Sequence, residues 1–106
     1  MNKRALNLPE LGLLLFLLRG KAGAEHLLGR LHTVEVAELG GGETGSLRFI
    51  SNQPNRQLGE LIANTHFLDD DGVPVLVSLY LDQEGGLYEL DCWKVNDMPL
   101  QRIPAF

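Results

Sequence analysis

Hydrophobic residues change their spacing once along this chain. Up to Leu31 they crowd together, and from Thr33 onward they alternate with polar residues. Crowded or three-to-four spacing predicts helices, and spacing of two predicts strands. A first helix is expected to start after Asn7, whose side chain can accept from an orphan backbone N–H. Pro9 sits where no N–H is needed, and Glu10 falls three residues after the cap. This helix runs to about Leu18 and stops near Gly20. It is apolar almost all round, which suits burial against a sheet. A second, shorter helix is expected over Ala22–Leu31, weakened by Gly23 and Gly29 at roughly 1 kcal/mol each.

Strands are predicted over Thr33–Leu39, Gly45–Ser51, Glu60–Leu68 (with an irregular start near Gly59), Val73–Asp82 and Leu87–Val95. A glycine-rich hairpin at Gly40–Glu43, an acidic turn at Asp69–Gly72 and a turn at Gln83–Gly86 connect them. Pro74 is tolerable at the start of its strand if it lies outside the ladder. The tail from Asn96 is expected over the sheet edge, through Leu100, Ile103 and Phe106. The fold class is therefore α+β: one domain over 1–106, with two N-terminal helices packed on one face of an antiparallel meander of about five strands.

Alternation also sorts the faces. If Asp82 pairs with Leu87, then Leu79 faces Leu90, Val77 faces Cys92 and Leu81 faces Tyr88 on the apolar side. Tyr80 with Glu89, Ser78 with Asp91 and Leu76 with Trp93 then share the other side. Pairing Leu68 with Pro74 adds Asn64 and His66 to that second face. A slip by one residue would press Glu89 and Asp91 into the core at a large desolvation cost. Trp93, Tyr80, Glu89, Asp91, Ser78, His66 and Asn64 are the resulting candidate binding face.

Charge narrows the partners of such a face. The chain carries 9 Lys and Arg against 14 Asp and Glu, a net charge of −5. Phosphate backbones would be repelled, so no nucleic acid is expected, and no basic patch invites a membrane. Lys3 and Arg4 before the apolar run Leu11–Leu18 have the outline of a signal peptide. Pro9, Glu10, Arg19 and Lys21 oppose it, and the run is far short of the roughly 20 residues that span a bilayer. Cys92 stands alone, which forbids an intrachain disulfide and suits a small buried hydrophobe in a reducing compartment. A cytoplasmic protein is predicted.

Candidate chemistry is thin. Glu89 and Asp91 lie about 7 Å apart on one face, and with His66 they form a weak candidate for a divalent metal, although a wet sheet face has the same pattern. The Asp69–Gly72 turn fails the calcium-loop pattern, because a strand begins where the twelfth ligand should be. The glycines at 40–42 feed a strand and lack a lysine, unlike a phosphate-binding loop. Lys94 follows Asp91 at acid-x-x-Lys spacing, which sends the two side chains to opposite faces. Ser46, Ser51 and Ser78 have no hydrolase setting, and His26 and His32 suit a helix end. No cofactor is expected, and an enzyme is the less favoured reading.

The segments Gly45–Phe49, Asp69–Asp82 and Gly86–Leu100, with "ELDCWKV" as their most specific part, resemble a family of small uncharacterised bacterial proteins carrying a domain of unknown function. The resemblance implies a compact single domain and supplies no catalytic residues. By analogy of size and charge, it admits an immunity-like role. The expected function is protein interaction through the acidic, aromatic face, with a basic protein partner or, as another reading, a second copy in a homodimer. The alternative is a metal-dependent enzyme or small-ligand binder using Glu89, Asp91 and His66.

Overall fold

Asn7 opens the first helix. Its side chain accepts from the Glu10 N–H at 2.9 Å, and its own N–H donates to Glu10 Oε1 at 3.0 Å, closing a capping box. In this computed structural model, which describes residues 2–106, helix α1 spans Leu8–Leu18 and buries Leu13, Leu14, Leu17 and Leu18. Helix α2 is a single turn, Glu25–Leu28, shorter than the predicted 22–31. No side chain caps it and Gly29 ends it, so helix propensity is too weak to extend it. Leu27 and Leu31 still reach the core.

The strands are β1 Arg4–Ala5, β2 Glu35–Glu38, β3 Leu47–Phe49, β4 Leu58–Leu68, β5 Pro74–Asp82 and β6 Leu87–Lys94. They form one antiparallel sheet in the order β1-β2-β3-β6-β5-β4. The fold is thus α+β as expected, with two differences. The two-residue β1 is too short to leave an alternation signal. The sheet is also not one continuous meander: residues 50–57 carry the chain past β3 to the far edge, so β3 pairs with β6. Between β2 and β3, Gly40, Gly41 and Gly42 all take positive φ (62°, 71° and 86°), a left-handed run that other residues resist.

Both hairpin registers match the expected ones over most of their length. Leu68 pairs with Pro74 and Asn64 with Ser78; Leu76 pairs with Trp93, Ser78 with Asp91 and Tyr80 with Glu89. Beyond Tyr80 the register shifts, and Leu81 pairs with Leu87 instead of the expected Tyr88. The cause is local. Asp82 accepts from the N–H groups of Glu84 at 2.8 Å and Gly86 at 3.0 Å, which tightens the turn and draws Leu87 into line. Tyr88 is displaced into a bulge, its ring flanked by the guanidinium groups of Arg48 at 4.5 Å and Arg56 at 5.0 Å.

One hydrophobic cluster joins the α1 leucines to Val36, Leu47, Phe49, Val75, Val77, Leu79, Leu90 and Cys92. The tail reaches the edge strand from the inner side. Leu100 and Ile103 pack against the cluster, and Phe106 sits between Phe16 of α1 (5.1 Å) and Phe67 of β4 (6.0 Å), on the helix side of the sheet.

Candidate functional site: the outer sheet face

The face turned away from the core is built in rows across β4, β5 and β6, because directly paired residues point the same way. Asn64, Ser78 and Asp91 make one row, and His66, Leu76 and Trp93 make the next. The register therefore brings the candidate residues onto one surface. Leu68 and Pro74 continue it toward the acidic turn. Its apolar members are unusually open: Leu68 is 63%, Trp93 49% and Leu76 43% exposed. The indole is nevertheless held, since Trp93 Nε1 donates to Asp97 Oδ1 at 2.9 Å.

The carboxylates differ in their surroundings. Glu89 is taken by Arg48, with Nη2 2.6 Å from Oε1. Asp91 has no cation within ion-pair reach among the described residues. Partial burial, with the charge of Glu89 beside it, pushes its carboxyl above the ordinary range, and the Ser46 hydroxyl 3.5 Å away offsets this only in part. Ser46 is itself engaged with the Cys92 backbone, accepting from its N–H at 2.8 Å. Burial, followed by the charges of Asp91 and Glu10, pushes the Cys92 thiol up to about 12, far from a reactive thiolate.

The geometry separates the three residues considered for a metal. His66 lies on β4, two strands from β6 and one row beyond Asp91. Arg48 occupies Glu89. Among the described residues no group of three or more His, Cys, Asp or Glu is placed to hold a metal ion. The depression beside Trp93 holds about 80 Å³, well below the several hundred Å³ of typical small-molecule sites.

Beneath this face lies a polar cluster that sequence reasoning missed. Lys94 does point to the opposite side from Asp91, but there it is buried and donates to Asp69 at 2.9 Å and Asp71 at 2.7 Å. Asp69 also accepts from the backbone N–H groups of Asp70, Gln101 and Arg102. Burial alone would raise its carboxyl, but these donors together with Lys94 hold it down at about 2. The Asp69–Gly72 segment is therefore more than a solvated turn: it fastens the tail. The clue was Lys94 on a core-facing strand position, where a buried ammonium requires a carboxylate partner. Two further pairs went unread. Arg56 meets buried Asp82 at 3.1 Å, and Arg4 meets buried Glu10 at 2.7 Å.

Fold and face together define an α+β chain with an open antiparallel sheet whose exposed side displays a fixed tryptophan among aliphatic residues. The chain belongs to the family described as Domain of unknown function (DUF6984), whose model matches residues 3–104. Neither the curated proteins nor the solved structures include a match to it. Among the described residues, no helix is long and apolar enough to cross a membrane.

Proposed function

We propose that this chain is a non-enzymatic cytoplasmic module that binds a basic protein partner through the outer sheet face. The observation carrying this reading is the exposure of Leu76 and Trp93 in one row, and of Leu68 in the next, on a face that is otherwise polar. An indole half exposed leaves roughly 100 Å² to be buried, worth about 2.5 kcal/mol on contact. The Arg48–Glu89 pair on the same face is partly solvated and contributes only about 0–1 kcal/mol. Affinity therefore comes from Trp93 and its aliphatic neighbours, with Tyr80 two rows away on the same face. Asp91 and Asp97, which form no ion pair among the described residues, steer a cation toward them.

A shallow depression suits a protein surface better than a small substrate, and the thiol and carboxylates lack the arrangement that acid–base or nucleophilic chemistry needs. The test is quantitative capture from the native lysate by immobilised wild type and by Trp93→Ala. A partner held by the wild type and lost at least about tenfold by Trp93→Ala supports the reading, since tryptophan anchors commonly contribute about 2 kcal/mol or more. Equal capture by both proteins would remove it.

A further inference from the structure

The sheet has two edges, and they are built differently. β1 is two residues long and offers almost no template. β4 is eleven residues long and ends the sheet, with no strand beyond it among the described residues. Natural sheets blunt such edges with lysine, proline or bulges. The bulges of β4 lie before Ala63, and Ala63–Leu68 is regular and contains neither lysine nor proline.

The direction of its free backbone groups follows from one bond. Asp69 N–H donates to Val73 C=O at 3.0 Å, so Asp69 and Val73 are a hydrogen-bonded pair. Antiparallel ladders alternate, so Phe67, Thr65 and Ala63 also bond toward β5. Asn64, His66 and Leu68 then direct N–H and C=O outward, and all three are exposed. Leu68 opposite Pro74 fits this alternation, because a proline in that pair withdraws no ladder bond from β4.

We infer that the free edge of β4 at Asn64–Leu68 accepts an extended segment of a partner protein as a seventh strand, apolar at alternate positions and basic at its ends. This rests on the reading of the outer face as a protein-binding surface and adds the mode of recognition. Three outward residues allow about six main-chain hydrogen bonds in antiparallel pairing. Side chains of the added strand meet apolar groups on both sides of the sheet: Leu68 and Leu76 on the outer face, and Phe106, 41% exposed and edge-on to Phe67, on the other. Charge selects the occupant. Glu60 and Asp70 bracket the edge, and Arg102 meets Asp70 only through an exposed contact at 3.1 Å. In a second copy paired antiparallel about His66, these acidic ends would approach each other, whereas basic ends on a partner strand are attracted.

The probe is a synthetic ten-residue peptide of alternating valine and threonine with lysine at both ends. Its controls are the same peptide with glutamate ends and one with a central proline. Amide chemical shifts of the full chain report the site. Binding should move Asn64, His66 and Leu68, with at least tenfold weaker binding for each control. His66→Pro removes an outward N–H without touching a ladder bond and should weaken binding at least tenfold while the thermal midpoint stays near the wild type. If that variant fails to fold, Asn64→Lys, at an exposed edge position, replaces it with the same expected loss. Shifts mapping elsewhere, equal binding of the glutamate-ended peptide, or concentration-dependent shifts of the same amides without peptide would each overturn the inference, the last in favour of a second copy. Trp93→Ala separates the two proposals. Loss with Trp93→Ala but not with His66→Pro keeps the face and removes strand addition, whereas loss with neither removes both.

Discussion

Asp69 is the centre of the buried polar cluster that joins β4, β6 and the tail. It receives three backbone N–H groups and the buried Lys94, and so ties the end of β4 to both β6 and the tail. Removing it leaves Lys94 with Asp71 as its one carboxylate and takes the acceptor from the Gln101 and Arg102 N–H groups, at about 2–3 kcal/mol. Asp69→Ala should therefore lower the thermal midpoint by roughly 10 °C or more in a chain of this size. The pH dependence follows from the direction of the shift. The carboxyl is ordinarily near 3.8 and is held at about 2 in the fold, so its contribution is present above about pH 4 and is lost as pH falls toward 2. Urea midpoints of wild type and variant should converge between about pH 5 and pH 2. A constant gap across that range would show that Asp69 acts through packing instead of charge.

At the scale of elements, β4 and the turn after β5 fix each other. Gly59 lies in the bulged start of β4, where an added Cβ would stand 2.5 Å from the Asp82 carbonyl oxygen and 2.9 Å from that of Leu81. Neither oxygen belongs to a side chain that can swing away. Gly59→Ala should force β4 from β5 at that end and break the Gln57 N–H to Gln83 Oε1 contact of 2.8 Å. Amide exchange measures this: protection should fall at the bonded amides of residues 58–62 and persist at Ala63, Thr65 and Phe67, where the ladder to β5 is regular. The irregular start of this strand was legible in the sequence at Gly59, because a glycine inside a strand pattern marks a bulge or a close approach. The shortness of α2 was less so. Its leucines carry helical spacing, yet what keeps them in place is the core, and a packed single turn leaves the same spacing as a longer helix.

For the whole molecule, the tail closes the gap between helix and sheet. Leu100 and Ile103 enter the core cluster, Phe106 bridges Phe16 and Phe67, and the Gln101 and Arg102 N–H groups satisfy Asp69. Ending the chain after Leu100 removes apolar cover and two donors to a buried carboxylate together. The truncated protein should unfold at lower urea with a slightly smaller slope, and dye binding should report newly exposed apolar surface around Phe67. An unchanged midpoint would mean that the tail is an appendage. Because Leu100, Ile103 and Phe106 pack on the helix side, Asn64, His66, Leu68 and Trp93 stay exposed, and this gives both proposals their surface.

The sequence by itself determined the features that repeat or act locally. Alternation assigned Glu89, Asp91 and Trp93 to one face and Leu90 and Cys92 to the other, since a one-residue slip would bury charge. The Asn7–Glu10 capping box and the two hairpin pairings, apart from the bulge at Tyr88, were equally legible, because each is set by a local cap or turn. Tertiary structure alone decided which distant segments meet. The β3–β6 pairing, Arg56 on Asp82, Arg4 on Glu10 and Lys94 on Asp69 carry no periodic signal. The physical reason is that a buried charge announces its need for a partner, but only the folded chain chooses which of the available opposite charges arrives within hydrogen-bonding distance.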